Sequence, residues 1–327
     1  MALKIAHWTM INTSGMYRVA ESLVKAECIL GLESYLCDFT KDSEMDQVHD
    51  ADVHVCHTHI PDCVRQKATK PYKVVWVAHG TPEYVFTSSV INGLHKGYGA
   101  SDSWQLAQYW MQNSDAIVTF WPRHQKIWKS LCDKNTQVDY LQMGLDKTIW
   151  QPAQSQGKYL GAPSLFTAEN CDYSKWPLDL FFAWPWVSQE LPTAHLHSIY
   201  LPTDQHRWWY PLLNRNGSGF KTISSGAVFN SDTLRNAFAS TDYYIGLVNY
   251  GDANKISLEA NACGAKTISY SGNVYSDYWL QEGDQRDMAK QLVAILKGEV
   301  KPRKKTPVAD ISVTAEGMKK IYERIVG

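Results

Sequence analysis

Four stretches of the sequence place small residues beside polar side chains that can bind or transform a small molecule. They are Asn12–Met16, His79–Pro82, Gln142–Asp146 and Gly251–Gly264, and each follows a short apolar run. Glycine allows a ligand to approach the backbone closely, and an imidazole such as that of His79 can donate or accept a hydrogen bond at neutral pH. These stretches are the candidate sites of chemistry.

The stretch Gly251–Gly264, GDANKISLEANACG, predicts a helix with a binding function at its start. The backbone amides of Asn254 to Leu258 would lie at the N-terminus of that helix, where amides attract phosphate oxygens. Glu259 follows with a carboxylate that can accept two hydrogen bonds. The helix dipole alone also favours a carboxylate near an N-terminus, which is the structural alternative for Glu259.

The four stretches lie at the ends of candidate strands in a chain that alternates strands with helices. The first strand leads into Tyr17–Leu30, whose apolar residues are spaced three and four apart, as in a helix. The candidate strands are Leu3–His7, Ser34–Phe39, Val53–His57, Val74–Ala78, Ala116–Thr119, Val138–Leu141, Ser164–Ala168, Leu196–Leu201, Tyr243–Val248 and Lys266–Tyr270. Several are continuously apolar, which indicates parallel sheets covered on both faces. Ligands bind beyond the carboxyl ends of the strands in such sheets.

The length and composition predict two domains. A chain of 327 residues with 44% hydrophobic content can form two cores of roughly 150 residues each. The segment Gln151–Pro163, rich in Pro, Gln, Ser and Gly, interrupts the pattern. We expect a first domain over 1–153, a second over 154–310, and a C-terminal helix over 311–327 that packs back across the junction.

The composition argues against several classes of protein. A formal net charge of -1 disfavours a general nucleic-acid coat, and the basic run Lys297–Lys305 is typical of a solvated linker. The seven cysteines are odd in number and form no CxxC pair, which disfavours a disulfide framework and a zinc site and favours a reducing compartment. The N-terminus does not resemble a signal peptide, and no run of about 18 apolar residues occurs. We expect a cytoplasmic protein with no integral membrane segment.

Asp50 and Asp52 have the spacing of a metal-binding DxD motif. The pair leads directly into the strand Val53–His57 and has no third oxygen ligand nearby in the sequence, so we assign no metal to it. Without a metal, charge that develops on a leaving group must be met by lysines and backbone amides.

Taken together and in this order, the four stretches resemble the large retaining family of GT-B glycosyltransferases, the family-4-like or group 1 enzymes, which include bacterial mannosyltransferases and sucrose synthase. The most specific part is Ser257–Ala265, which is similar to the family's LEAMACG helix. Val138–Pro152 resembles the stretch that ends the family's first domain. The resemblance implies an α/β protein of GT-B fold, in which two Rossmann-like, doubly wound parallel-sheet domains face a central cleft. The first would bind the acceptor and the second the nucleotide-sugar donor.

The resemblance also implies roles for single residues. Gly15 matches a glycine loop that lets donor and acceptor approach the backbone, His79 a histidine that lies against the donor sugar, and Glu259 a glutamate that binds the donor ribose. Lys175 resembles a diphosphate-binding lysine. The plainer alternatives are an ordinary turn at Gly15, a structural hydrogen bond at His79 and a surface lysine at Lys175. The prediction assigns catalysis to His79 and donor binding to Gly15, Lys175, Asn254, Lys255, Ser257, Leu258 and Glu259.

Two positions depart from the family pattern. Gly251, with Asp252 beside it, stands where many members have a glutamate near the donor sugar, and Asn170 stands where an arginine is usual. Lys255 is the candidate replacement for the missing cation.

The acceptor site is predicted in the first domain. Tyr84–Trp110 is rich in aromatic residues, and we assign Met16, Tyr84 and Trp104 to acceptor binding. Saccharides and flipped nucleobases both stack on aromatic rings, so the predicted acceptor is a saccharide, a small molecule or a modified, hydroxymethylated DNA base. The near-neutral charge counts against DNA.

The sequence thus predicts a metal-independent hexosyl- or pentosyltransferase that moves a sugar from a nucleotide-diphosphate sugar to an acceptor hydroxyl with retention. The nucleotide sugar is its donor substrate, and no cofactor is expected. The leaving diphosphate would help to deprotonate the acceptor, and His79 would stabilise the oxocarbenium-like state. Two alternatives stay open: a sugar-nucleotide epimerase of the same fold, and a catalytically weak nucleotide-sugar-binding protein.

Overall fold

The chain forms two compact units in the computed structural model. The first unit comprises Met1–Asp146 together with Ala309–Gly327, and the second comprises Lys147–Val308. The structure describes residues 2–9, 15–38, 50–57, 64, 72–80, 108–154, 157–168, 178–198, 220–222, 230–247, 255–281 and 283–327. The labels below number the helices and strands of these residues.

The first unit is built on a parallel sheet. Its strands are β1 (Lys4–Thr9), β2 (Glu33–Asp38), β3 (Val53–His57), β4 (Lys73–Ala78), β5 (Ala116–Thr119) and β6 (Gln137–Tyr140), and a short strand β7 (Gly144–Leu145) follows. The order in the sheet is β2-β1-β3-β4-β5-β6. Helix α1 (Gly15–Ile29) follows β1, and α2 (Pro122–Leu131) follows β5. Every residue of β3 and β5 is buried, as is typical of strands in a parallel sheet.

Tryptophan side chains fill much of the core of the first unit. Trp8, Trp76 and Trp128 are no more than 1% exposed. The rings of Trp76 and Trp128 meet edge to face, with 4.9 Å between their centroids, and Trp110 packs on Trp76 from another side at 5.4 Å. These rings pack in the core, so Trp110, which belongs to the aromatic stretch of the predicted acceptor site, is a core residue.

The second unit repeats the architecture. Its parallel sheet contains β8 (Ser164–Thr167), β9 (His195–Ser198), β10 (Phe220–Thr222), β11 (Tyr243–Gly246), β12 (Lys266–Tyr270) and β13 (Tyr278–Leu280), in the order β10-β9-β8-β11-β12-β13. The helices are α3 (Leu178–Glu190), α4 (Ser231–Ser240), α5 (Lys255–Ala262) and α6 (Gln285–Leu296). Two parallel α/β sheets, one in each unit, confirm the predicted class of fold.

Part of the basic run is fixed to the second unit. The ammonium of Lys305 lies 2.9 Å from Oδ1 of the buried Asp277, and the guanidinium of Arg303 lies over the ring of Trp279, 3.0 Å from its centroid. The backbone N–H of Arg303 also donates to the Asp277 carbonyl at 2.8 Å. Arg303 and Lys305 therefore contact side chains of the second unit, although Arg303 stays exposed and Lys305 partly exposed.

The C-terminal segment is fastened to the first unit. Strand β14 (Ala309–Asp310) pairs in parallel with β7, and α7 (Ile311–Val326) follows. A Cβ atom at Gly144 would overlap the carbonyl of Asp310, so the close approach requires glycine. The hydroxyl of Thr314 accepts a hydrogen bond from Gly144 N at 2.8 Å and donates one to the Gln142 carbonyl at 2.8 Å. Gln142 and Gly144, within the stretch Val138–Pro152, thus hold α7 in place.

Candidate functional site

His79 follows β4 directly, at the carboxyl end of that strand. Its side chain is half-buried, and its ring centroid lies 5.7 Å from that of Phe120, which follows β5. The next residue is also held, because the indole N–H of Trp128 donates to the Gly80 carbonyl at 2.9 Å. The fold therefore places the predicted catalytic histidine at the strand ends where parallel sheets bind ligands.

A row of histidines leads from His79 into the core. Nε2 of His79 lies 3.0 Å from Nδ1 of His57, and Nε2 of His57 lies 3.1 Å from Nδ1 of His7. Nε2 of His7 lies 2.8 Å from Oε2 of Glu27 on α1. His7, His57 and Glu27 are at most 1% exposed. These four side chains, the Glu27–His79 chain, form one continuous hydrogen-bonded row.

The strand register explains the row. His7 on β1 pairs with Val55 on β3, two residues before His57, and His57 pairs with Val77 on β4, two residues before His79. Since successive side chains of a strand alternate between faces, a step of two keeps each histidine on the same face. Sequence reasoning missed His7 and His57. The signal was a histidine near the end of each of three predicted strands, but only the strand order shows that they are neighbours.

Glu27 lies at the buried end of the row, and its carboxylate accepts three hydrogen bonds. Its Oε2 accepts hydrogen bonds from the Ser34 hydroxyl at 2.7 Å and from His7, and its Oε1 accepts one from the Tyr322 hydroxyl at 2.8 Å. Burial first, and the nearby Glu27 second, raise the pKa of Tyr322 well above 10.0, so its phenol keeps the proton that it donates. Donors from β1, β2 and α7 thus converge on one buried carboxylate.

The start of α1 has open space around Gly15 within the described residues. Helix α1 begins at the exposed Gly15, and a Cβ atom placed there would have no heavy atom within 4 Å. Met16 follows and is partly exposed. The described part of the protein therefore leaves space at Gly15, as expected where a ligand approaches the backbone. One turn into the helix, Nε and Nη1 of Arg18 are buried and have no hydrogen-bond acceptor among the described residues, and the sequence analysis had not singled out this residue.

In the second unit, α5 brings Lys255 and Glu259 together. Nζ of Lys255 lies 3.3 Å from Oε1 of Glu259, and these side chains are 13% and 0% exposed. Neither oxygen of Glu259 accepts a hydrogen bond within the described part of the chain. A buried carboxylate with unused acceptor capacity is unusual, and it is the arrangement expected where a ligand supplies the missing donors.

The first turn of α5 presents backbone rather than side-chain groups. Ser257 and Leu258 are buried, at 2% and 0% exposure, so their predicted role in donor binding would fall to their amides. The amides of the first four helical residues have no partner within the helix. A Cβ atom at Gly246, the last residue of β11, would lie 3.1 Å from Oγ of Ser257, so glycine there lets α5 sit close to the strand end. Gly264, with φ +86°, ends the helix turn in the left-handed conformation.

Some predicted site residues lie outside the described residues. They are Tyr84, Trp104, Lys175 and Asn254, together with the departures at Gly251, Asp252 and Asn170.

The described residues also bear on the metal and membrane predictions. Oδ2 of Asp52 accepts a hydrogen bond from Lys4 N at 2.9 Å, which gives one carboxylate of the DxD pair a structural role beside β1. No group of three or more His, Cys, Asp or Glu side chains in the described ranges is arranged to hold a metal ion. Within the same ranges, every helix is too short or too polar to span a membrane.

Comparison with solved structures identifies the fold. No protein-family model and no curated protein matches the sequence. The chain is similar to sucrose-phosphate synthase from Thermosynechococcus elongatus, with a TM-score of 0.69, 10% identity, and coverage of 99% of this chain and 96% of that one. It is also similar to Anabaena HepE in complex with UDP and glucose, with a TM-score of 0.63, 11% identity and coverage of 99% and 97%.

A third similar structure carries a different title. A putative UDP-N-acetylglucosamine 2-epimerase from Listeria monocytogenes matches with a TM-score of 0.65, 11% identity and coverage of 99% and 98%. At these identities the likeness shows the fold alone. The protein has an α/β fold of the GT-B type, with parallel sheets that match these structures over nearly the full chain.

Proposed function

We propose that the protein is a glycosyltransferase that moves a sugar from a nucleotide-diphosphate sugar to an acceptor hydroxyl with retention of configuration. The observation that carries this proposal is the start of α5, where the N-terminal amides of the helix adjoin the buried Glu259 carboxylate, whose oxygens accept no hydrogen bond within the described residues. Helix amides suit a diphosphate, and a carboxylate suits the paired hydroxyls of a ribose. The likeness to a structure that holds UDP and glucose supports the same class of ligand.

The charge on the leaving diphosphate sets the roles of the cations. Lys255 is the first residue of α5, so its ammonium and the helix dipole act at the same end of the helix. Lys175 is proposed for the same task from the sequence. With the diphosphate held this way, it can itself take the acceptor proton on the face that it leaves, and no protein nucleophile is required. His79 is proposed to stabilise the oxocarbenium-like state.

A donor and acceptor screen tests the proposal. The protein is incubated with a panel of nucleotide-diphosphate sugars, UDP-glucose among them, and with saccharide and hydroxymethylated-DNA acceptors. We expect one donor to release its nucleotide only in the presence of one acceptor, and NMR of the product to show the donor's anomeric configuration. An inverted product would overturn retention, and binding without turnover would favour the nucleotide-sugar-binding protein.

The transfer is proposed to need no metal, because lysine and helix amides can take up the charge that a metal would neutralise. We therefore expect turnover to be unchanged in EDTA. Loss of turnover in EDTA, followed by recovery with manganese, would show this part of the mechanism to be wrong.

An epimerase is the second candidate, and two observations favour it. The chain matches the Listeria structure over 98% of that chain's length, and the Glu27–His79 chain contains the kind of groups that move protons. Incubation with UDP-N-acetylglucosamine in D2O separates the two candidates. A C2 epimer carrying deuterium would establish epimerisation, whereas a glycoside would establish transfer.

A further inference from the structure

The Glu27–His79 chain has a direction that its chemistry determines. An ionised carboxylate only accepts hydrogen bonds, so Nε2 of His7 must donate to Glu27. A neutral imidazole has one donor and one acceptor nitrogen, so Nδ1 of His7 accepts from Nε2–H of His57. In the same way, Nδ1 of His57 accepts from Nε2–H of His79. With the three imidazoles neutral, each step follows from the one before, and the last gives His79 its proton on Nε2.

We propose that Glu27, His7 and His57 are positioning residues that hold His79 as the Nε2–H tautomer, so that its Nδ1 offers a lone pair to a hydroxyl of the bound sugar. The proposal rests on the proposed function for the identity of the ligand. Its structural part, the tautomer of His79, does not depend on any ligand. Of the four residues of the Glu27–His79 chain, His79 alone touches substrate in this mechanism.

The histidine in the middle of the row stays neutral, as the direction of the chain requires. Burial first, then the neighbouring His79 and His7, lowers the pKa of His57 well below 6.5. A protonated His57 would donate from both nitrogens and would break the sequence of donors and acceptors. The Glu27 charge therefore acts on His79 through hydrogen bonds that include the neutral ring of His57.

A purely structural role does not account for this arrangement. Apolar side chains of similar volume would fill the same space without placing a buried carboxylate and two buried imidazoles in the core, and such replacements are often neutral or stabilising. Core packing is served elsewhere on the same strands by residues such as Trp8 and Trp76. The polar row ends at His79, the residue to which the sequence analysis assigns catalysis.

The tautomer is measured directly on the whole protein. Long-range ¹H–¹⁵N correlation spectra of ¹⁵N-histidine-labelled protein, at a pH above 7 and without ligand, distinguish the protonated from the unprotonated ring nitrogen. His79 is assigned with a His79→Gln variant. We expect Nε2 of His79 to carry the proton and Nδ1 to resonate as an unprotonated nitrogen.

Four variants test the direction of the chain. Glu27→Gln removes the charge that orients the row, and His57→Phe interrupts the row, so both should give His79 a mixture of tautomers. His57→Gln keeps one acceptor and one donor and should preserve the wild-type tautomer. His54→Phe is the matched control, because His54 is equally buried on β3 but accepts its hydrogen bond from Trp8 at 3.0 Å, outside the row.

Kinetics test the consequence for the reaction. With UDP-glucose as donor, UDP release should fall by about 10- to 100-fold in kcat for His57→Phe, as for other orienting partners of a reactive group, with little change in KM. His57→Gln and His54→Phe should stay close to wild type. Equal losses in His57→Phe and His54→Phe would overturn the positioning role.

The failure of this proposal is distinct from the failure of the proposed function. A proton on Nδ1 of His79 in the wild-type protein, or an unchanged tautomer in Glu27→Gln, overturns the proposal whatever the substrate. A protein that binds and turns over no nucleotide sugar overturns the proposed function, and the spectra still decide whether the chain holds the tautomer.

Discussion

Two buried carboxylates in this protein differ in how their charge is compensated. Glu27 and Glu259 are both 0% exposed. Glu27 accepts three hydrogen bonds, from Ser34, His7 and Tyr322, whereas Glu259 has an ion pair with Lys255 and unused acceptor capacity. Burying a charge is costly unless it is paired and hydrogen-bonded, so a satisfied carboxylate indicates an internal role and an incompletely satisfied one indicates a role toward a ligand.

This difference predicts the effect of removing Glu259. Glu259→Ala should weaken UDP binding by about 1.5–3 kcal/mol, the range for hydrogen bonds that involve a charged group. Isothermal titration calorimetry measures the change. The matched control is Glu190→Ala, which removes an exposed carboxylate from the end of α3 in the same unit. Wild-type affinity in a folded Glu259→Ala protein would remove Glu259 from the donor site.

The lowered pKa of His57 predicts how the free energy of unfolding depends on pH. Its pKa lies well below 6.5 in the folded protein because of burial and the neighbouring histidines, and near 6.5 in the unfolded chain. Below that pH the unfolded state binds the additional proton, so stability that is present above 6.5 is lost as the pH falls. The group should contribute a slope of up to about 1.4 kcal/mol per pH unit. Urea unfolding between pH 7.5 and 5.5 measures it, and His57→Gln should show a shallower slope. Parallel slopes for the two proteins would contradict the assignment.

At the scale of elements, the sequence predicts where helices and strands form better than it predicts which strands and side chains lie next to one another. Apolar runs located ten of the strands but not the short β7, β10, β13 and β14, and the local motif around Glu259 located α5, because both signals lie within a few consecutive residues. The Glu27–His79 chain depends instead on the order β1-β3-β4 and on the register of those strands. The hydrogen bond between Glu27 and Tyr322 spans 295 residues of sequence. No local pattern encodes such pairs.

The two ends of α1 predict opposite effects of the same substitution. Gly15 lies in open space at the start of the helix, so Gly15→Ala should leave the melting temperature unchanged, yet weaken binding of UDP-glucose by about 1–3 kcal/mol if the ligand packs on the Cα atom. Gly31, after the helix, has φ +81°, so Gly31→Ala should cost about 1 kcal/mol of stability and leave binding unchanged. Calorimetric melting and titration of both variants measure the two effects. Tight binding by Gly15→Ala would show that no ligand approaches there.

At the scale of the whole molecule, the chain returns to the unit in which it began. The segment Ala309–Gly327 belongs to the first unit, although it follows the second unit in sequence. Tyr322 supplies a donor to Glu27, and Lys319 donates to the Leu30 carbonyl at 3.2 Å. The first unit, and with it the Glu27–His79 chain, is therefore complete only when the segment Ala309–Gly327 is in place.

This dependence predicts the result of a truncation that ends the chain at Val308. The truncation removes Ala315, Met318 and Ile321 of α7, each at most 3% exposed in the intact protein, and leaves Glu27 without its Tyr322 donor. Burial of one large apolar side chain contributes about 1.5–3 kcal/mol, and an unsatisfied charged group costs more. The loss of stability is thus a large fraction of the 5–15 kcal/mol typical of a domain.

Hydrogen exchange measured by mass spectrometry should show lost protection in peptides from β1 and α1 of the truncated protein. Peptides from β11 and α6 should keep their protection, because the second unit contains none of the deleted residues. Deletion of Val326 and Gly327 alone, both exposed, is the control and should change neither set. Full protection of β1 and α1 in the longer truncation would show that the first unit folds without α7.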